Sequence, residues 1–347
     1  MDETTNNQGI HQVGLGLSGQ PPWEPPAPKH GISWVFVGKN GIRAGWGILV
    51  FIIVLTLVGF GTIALIQQFI PDFLKNRGAD MTPTMQAIIE GSQFFMVLIA
   101  TWVMAVIEEK SVFAYGYQGK ARATRFVAGL FWGFVAISGL VFWLWSSGLL
   151  VFEGRVLFGE LIWKNAAEWA GVFLLVGFFE ESTLRGYLQF TMTRGVGFWW
   201  GAFLFSFLFG FIHSTNPGES PVGLASAGLI GLVFCMSLWY TGSLWWAVGF
   251  HAAWDWGESY FYGTFDSGLS ARGHLFSVHP AGTVLMSGGK TGPEGSLYIL
   301  PELALIALFM WLWWSRMEKS PFEDSGWRPS WSRTPRDAEQ DAVERPA

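Results

Sequence analysis

Ionisable side chains of complementary type fall inside stretches of this chain that are otherwise apolar enough to span a bilayer. The first group is Gly177-Phe178-Phe179-Glu180-Glu181-Ser182-Thr183-Leu184-Arg185-Gly186, the second Phe209-Gly210-Phe211-Ile212-His213, and the third His251-Ala252-Ala253-Trp254-Asp255. A charge at membrane depth costs at least a few kcal/mol, so such a cluster marks a functional site by default. On a helix, residues four apart share a face. Glu181 and Arg185 are so spaced, with the acid on the N-terminal side, the better order for a pair. Glu180 is rotated about 100° away and is left without a local partner. That asymmetry makes Glu181 and Arg185 structural and Glu180 chemical. Phe209 and His213 share a face of one helix, and His251 and Asp255 a face of another.

A carboxylate with two imidazoles suits the activation of water. A glutamate in a low-dielectric cleft has a raised pKa, which makes it a stronger base and then a competent acid. An N–H-bearing histidine beside a second polar donor can stabilise the oxyanion of a tetrahedral intermediate. Together they make a scheme for amide hydrolysis with no covalent enzyme intermediate. There is no Gly-x-Ser-x-Gly nucleophile motif and no His-Glu-x-x-His zinc helix. The histidines at 11, 30, 274 and 279 lie in tails or loops and receive no role.

The elements that must hold these groups are membrane helices. Of 347 residues, 51% are hydrophobic and 14% charged, with 21 Trp and 31 Phe; Trp collects where membrane meets water. The run from Ala44 to Leu65 is uncharged and close to the ~20 residues that cross hydrocarbon. Apolar stretches fall at 44–70, 84–107, 126–150, 166–190, 196–214, 221–241, 242–261 and 297–316. The fold class is therefore all-α, a polytopic bundle of about eight transmembrane helices. Residues 1–43 form a polar, Pro-rich tail, 44–316 the core, and 317–347 a second polar tail, expected to be mobile. Spans six and seven are joined by Tyr240-Thr241-Gly242-Ser243, which implies an antiparallel hairpin. A long Gly-rich loop, Gly263 to Gly295, precedes the last span. Gly129 with Gly133, and Gly228 with Gly231, sit at spacings that let helices approach closely.

Lys29, Lys39, Arg43, Lys110, Lys120, Arg122, Arg125, Arg194, Arg316 and Lys319 fall on one side of an even number of spans. Only Lys75, Arg77, Arg155, Lys164, Arg272 and Lys290 fall on the other. The positive-inside rule then places both termini in the cytoplasm. No basic run suggests nucleic acid. The single cysteine, Cys235, reads as packing. At 1.5 Å per residue, Glu180 and His251 lie about 13–15 Å from the cytoplasmic ends of their spans, and His213 about 22–25 Å.

The ordered set Glu180-Glu181 with Arg185, Phe209 with His213, and His251 with Asp255 resembles the CPBP family of intramembrane proteases, which includes the CAAX prenyl endopeptidase and proteins tied to bacteriocin processing or self-immunity. The family pattern is Glu-Glu-x-x-x-Arg, Phe-x-x-x-His, then His-x-x-x-Asn or a close variant. The resemblance implies an intramembrane endopeptidase acting on a membrane-associated or lipidated peptide, in contact with membrane lipids. It implies Glu180 as general base, His213 helping to hold the water, and His251 with residue 255 at the oxyanion site. No cofactor is expected. The chain departs from the pattern at Asp255, because an ionised Asp cannot donate to an oxyanion: it must be protonated or orient His251. The same departure opens a zinc-dependent version, with Glu180, His213, His251 and Asp255 as ligands. Two other classes compete: a catalytically weak or inactive binding or immunity factor on the same fold, and a proton-coupled transporter. The intact Glu180, His213 and His251 argue against the first, and the lack of internal repeats against the second.

Overall fold

The computed structural model describes residues 33–38, 41–71, 80–316 and 320–324. The Pro-rich run at 20–28 and most of both tails lie outside these residues. The main helices are α1 (Ala44–Phe69), α2 (Pro83–Ile107), α3 (Arg122–Ser146), α4 (Glu160–Glu181), α5 (Leu188–Val196), α6 (Phe198–His213), α7 (Pro221–Thr241), α8 (Trp245–Asp255) and α9 (Ile299–Trp314). Each of the eight apolar stretches is helical. Five helices are long and apolar enough to cross a membrane: α1, α2, α3, α7 and the continuous run Glu160–Val196. The helices α6 and α9 are apolar but have only 16 residues each. The seventh stretch is α8 continued by a π-helical turn, Trp256–Tyr262.

Local chemistry sets the helix ends. The Thr82 hydroxyl accepts from the Met85 amide with Pro83 in the first turn, and Ser220 does the same for Gly223 ahead of Pro221. Each supplies an acceptor for an amide the helix leaves unpaired. Helix α7 stops at Gly242, whose φ of 63° is the left-handed state that glycine adopts without penalty. Helices α4 and α5 are joined through a π turn, Ser182–Tyr187, bent at Gly186 (φ −82°, ψ −122°).

The tight turn after α7 does not produce an extensive α7–α8 hairpin. Helix α8 packs chiefly along α3, while α7 packs on α6 and α2 on α4. Glycine makes the α3–α8 contact possible. A Cβ on Gly129 would meet the Trp246 carbonyl, one on Gly133 the Phe250 carbonyl, and one on Gly249 the Phe126 carbonyl. Close backbone approach of this kind associates helices where lipid gives no hydrophobic drive. The long loop after α8 is not structureless. Strand β1 (Asp80–Met81) pairs parallel with β3 (Ser270–Ala271), and β2 (Leu150–Arg155) antiparallel with β4 (Phe276–Pro280). These pairings tie the loop to the segments that precede α2 and α4. Past the expected end of the core, the short helix Pro321–Asp324 docks by burying Phe322 against Phe198 and Trp239. Cys235 is buried, with Sγ 3.9 Å from the Ser206 hydroxyl.

Glu108, at the end of α2, knots several elements together. Its carboxylate receives Arg194 at 2.6 Å, Tyr187 at 2.9 Å, Lys110 at 2.8 Å and Tyr115 at 3.2 Å. Burial works to raise this carboxyl, but hydrogen bonds and charge from Arg194 and Lys110 outweigh it and hold the group below the ordinary glutamate range. A depressed carboxylate stabilises the fold above its unfolded pKa, and that contribution is lost as pH falls through the folded value. Glu108→Gln is therefore expected to lower the melting temperature in detergent at neutral pH, with the difference from wild type closing below pH 4.5. Gly133→Val forces a branched side chain onto the Phe250 carbonyl and should cost about 1–3 kcal/mol, read as a lowered melting temperature.

Candidate active site

A cavity of about 710 Å³ opens between α2, α4, α6, α7 and α8, roofed by the loop after α8. Glu180, Phe209, His213, His251 and Asp255 all line it. The depth mismatch counted from straight helices does not separate them. The π turn and the Gly186 bend re-aim the chain after Glu181, and a π turn is the usual way a helix redirects a functional side chain.

The two adjacent glutamates have different surroundings. The Glu180 side chain keeps 23% of its surface exposed, whereas that of Glu181 is sealed at 0%. One oxygen of Glu181, Oε1, receives both Arg185 Nη1 at 3.2 Å and His251 Nδ1 at 3.1 Å. The expected Glu181–Arg185 pair is present, and it extends to the histidine. Arg185 lies 4.4 Å above the Phe209 ring and 5.7 Å from that of Phe234, which provides cation–π attraction in place of water. Gly231 makes room for it, since a Cβ there would strike the guanidinium.

His251 is thereby oriented. Its Nδ1 faces the Glu181 carboxylate and carries the hydrogen, and its ring stacks on Phe234 at 5.4 Å. Its Nε2 is turned into the cavity, 3.4 Å from Glu180 Oε2 and 3.6 Å from Asp255 Oδ2. These separations are too long for strong hydrogen bonds. His213 is the last residue of α6, one turn beyond Phe209. Its Nδ1 lies 2.8 Å from the Phe209 carbonyl oxygen, which makes Nδ1 the donor and leaves Nε2 as an acceptor. The Phe209 ring meets His213 edge-on at 4.7 Å and lies 6.2 Å from His251. Phe209 is thus the wall against which both imidazoles and Arg185 pack.

Other cavity groups were not singled out from sequence. Glu90 on α2 accepts from Gln86 at 2.8 Å and Gln93 at 3.1 Å, and all three line the cavity. Asp266 and Glu294 reach it from the loop after α8. Burial pushes both carboxyls up, that of Asp266 against a Ser259 hydrogen bond and two nearby imidazoles, that of Glu294 aided by the charge of Asp266. The signal was available for Glu90, and for Glu258, a fully buried acid of the π turn Trp256–Tyr262 rather than of the cavity wall, since both fall in apolar stretches. Asp266 and Glu294 carried no such signal, because acids in a Gly-rich loop are ordinary.

With this geometry in place, comparison with known families bears on it. Residues 161–257 match the Rce1-like family, type II CAAX prenyl endopeptidase. The match is consistent with a CPBP family intramembrane protease. It covers Glu180, Glu181, Arg185, Phe209, His213, His251 and Asp255, and it ends before Glu258, Asp266 and Glu294. No curated protein and no solved structure matches the chain. The family match and the apolar helices together support an integral membrane protein of protease type.

Removing Arg185 would leave the sealed Glu181 carboxylate, at 0% exposure, with the His251 imidazole as its one remaining charged partner among the described residues. Breaking such a buried pair costs about 3–5 kcal/mol. Arg185→Ala is expected to prevent recovery of a monodisperse, cooperatively melting protein. Arg185→Lys should rescue only in part, since lysine lacks the planar face that lies over Phe209.

Proposed function

We propose that the chain is an intramembrane endopeptidase that cleaves a membrane-associated peptide substrate by water activated on Glu180. The observation that carries this reading is the shared cavity, in which Glu180 and both histidines converge while Glu181 and Arg185 stay sealed behind them. Glu180 takes a proton from water as the water oxygen attacks the scissile carbonyl carbon. His213, with Nε2 free to accept, helps hold that water. Carboxylates face both ring nitrogens of His251, so both carry hydrogens, and Nε2–H stands beside Glu180 to meet the oxyanion. As the C–N bond breaks, the proton on Glu180 passes to the leaving amine. The products are a new carboxyl terminus and a free amine.

Asp255 acts in this scheme by orienting Nε2–H electrostatically from 3.6 Å rather than by donating to the oxyanion. Asn at this place would donate directly. The wider cavity is partly apolar, with Phe179, Ile212, Ile230 and Leu303 among its walls, which suits a lipidated or hydrophobic peptide. The basic residues favour both termini in the cytoplasm. The chemistry is proposed to be metal-free. A zinc version would draw on Glu180, His213, His251 and Asp255. Among the described residues those four are not a set whose ligand atoms all lie within 4.8 Å of one another, so they fit zinc only after rearrangement, and no step is assigned to a metal here.

Glu180→Gln is expected to lower cleavage of a membrane-proximal reporter peptide by about 10²–10⁴-fold with insertion and melting temperature unchanged. Unchanged cleavage would refute the role of Glu180, and a lost proton flux without any cleavage in the wild type would indicate a transporter. Asp255→Asn should keep measurable cleavage, whereas Asp255→Ala should lose it.

A further inference from the structure

Beside the proposed catalytic groups lies a second cluster that the hydrolytic scheme does not use. Glu258 comes from the π turn that continues α8, Asp266 from the loop behind it, and Glu294 from the 3₁₀ turn Pro293–Gly295. Each offers a ligand oxygen, and these oxygens all lie within 4.8 Å of one another. Three carboxylates drawn together from separate elements repel one another unless something positive sits among them. Among the described residues lining the adjoining cavity there is no Lys or Arg, and the doubly protonated His251 faces Glu180, Glu181 and Asp255 instead.

Two further features point to a ligand. Glu258 is fully buried at 0% exposure. Trp254 Nε1 holds its Oε2 at 2.7 Å, while its Oε1 has no hydrogen-bond partner. Leaving a buried carboxylate oxygen unsatisfied is costly. The backbone of Gly292 approaches the orphan oxygen closely. A Cβ on Gly292 (φ 114°) would strike the Phe265 carbonyl and lie 3.0 Å from Glu258 Oε1. The remaining acids are already braced for a fixed geometry. Asp266 Oδ2 accepts from Ser259 at 2.8 Å, and Glu294 Oε1 accepts from the Ser267 amide and hydroxyl.

We propose that Glu258, Asp266 and Glu294 form a binding site for one hard divalent cation of the Mg²⁺, Ca²⁺ or Mn²⁺ class. The donor set is carboxylate oxygen, with no sulfur or imidazole. Such a set selects hard cations over zinc or copper. The cation clamps the loop after α8 to the end of that helix, three residues beyond Asp255. Its three acids are none of the proposed catalytic groups, although two of them line the same cavity, and all three fall outside the family match, which stops at Gly257.

The test is Mn²⁺ binding to the full-length protein in detergent, followed by electron paramagnetic resonance, with Ca²⁺ and Mg²⁺ as competitors. The expected result is one saturable Mn²⁺ site that Ca²⁺ or Mg²⁺ displaces. It should survive Glu180→Gln, which separates it from any failure of the hydrolytic reading. Glu294→Gln should weaken it at least tenfold, and Asp266→Asn provides a second variant should the first fold poorly. A rise in melting temperature with added Ca²⁺, lost in these variants, is the matching readout. Absence of saturable binding by all three cations would overturn the site and leave protons shared among the carboxyls as the neutralising charge. Binding that persists in both loop variants would equally overturn it.

Discussion

One buried carboxylate oxygen organises this protein. Glu181 Oε1 receives a guanidinium and an imidazole at 3.2 and 3.1 Å in a place with no access to water. A charge so placed is tolerable only when it is paired and hydrogen-bonded. That requirement fixes Arg185 over Phe209, fixes the ring of His251, and aims its second nitrogen into the cavity. The neighbouring Glu180 differs only in its helical phase, and so it alone of the pair reaches open space. The division of labour between two identical residues follows from about 100° of rotation.

The scaffold brings the helices near enough for that oxygen to serve both partners. At the α3–α8 contact, Gly129, Gly133 and Gly249 let backbone touch backbone. Gly231 on α7 does the same for the guanidinium itself. In a membrane the hydrophobic effect does not press helices together, so close packing and internal polar bonds must do so. The π turn after Glu181 is part of the same arrangement, because the helix departs from regular geometry in the segment that carries Arg185.

The loop after α8 gives the cavity its second character. Paired to the segments before α2 and α4, it is held over the opening, and it brings Asp266 and Glu294 to a wall that already carries Glu180 and Asp255. The result is a partly apolar chamber with a strongly acidic rim. Such a rim makes the protonation and counter-ion state of the chamber a determinant of what enters it.

Much was legible in the residues alone. The helical membrane class followed from eight apolar stretches, and Glu180, Glu181, Arg185, Phe209, His213, His251 and Asp255 stood out because charge is rare at that depth. The pairing of Glu181 with Arg185 followed from a spacing of four. Helical periodicity reports neighbours within one element, and there it was reliable. It is blind to everything between elements. Counting along straight helices set His213 deeper than its partners, whereas the structure, with a non-helical Gly186 between α4 and α5, has all three lining one cavity. The short α7–α8 turn suggested partners that instead lie mainly elsewhere, because glycine complementarity outweighed chain proximity. That His251 shares the oxygen of Glu181, and that Asp266 and Glu294 join Glu258 from a Gly-rich loop, are contacts between residues 8 to 70 positions apart. One sequence determines which groups the membrane will not tolerate unpaired; only the packed chain decides which of them neutralise each other.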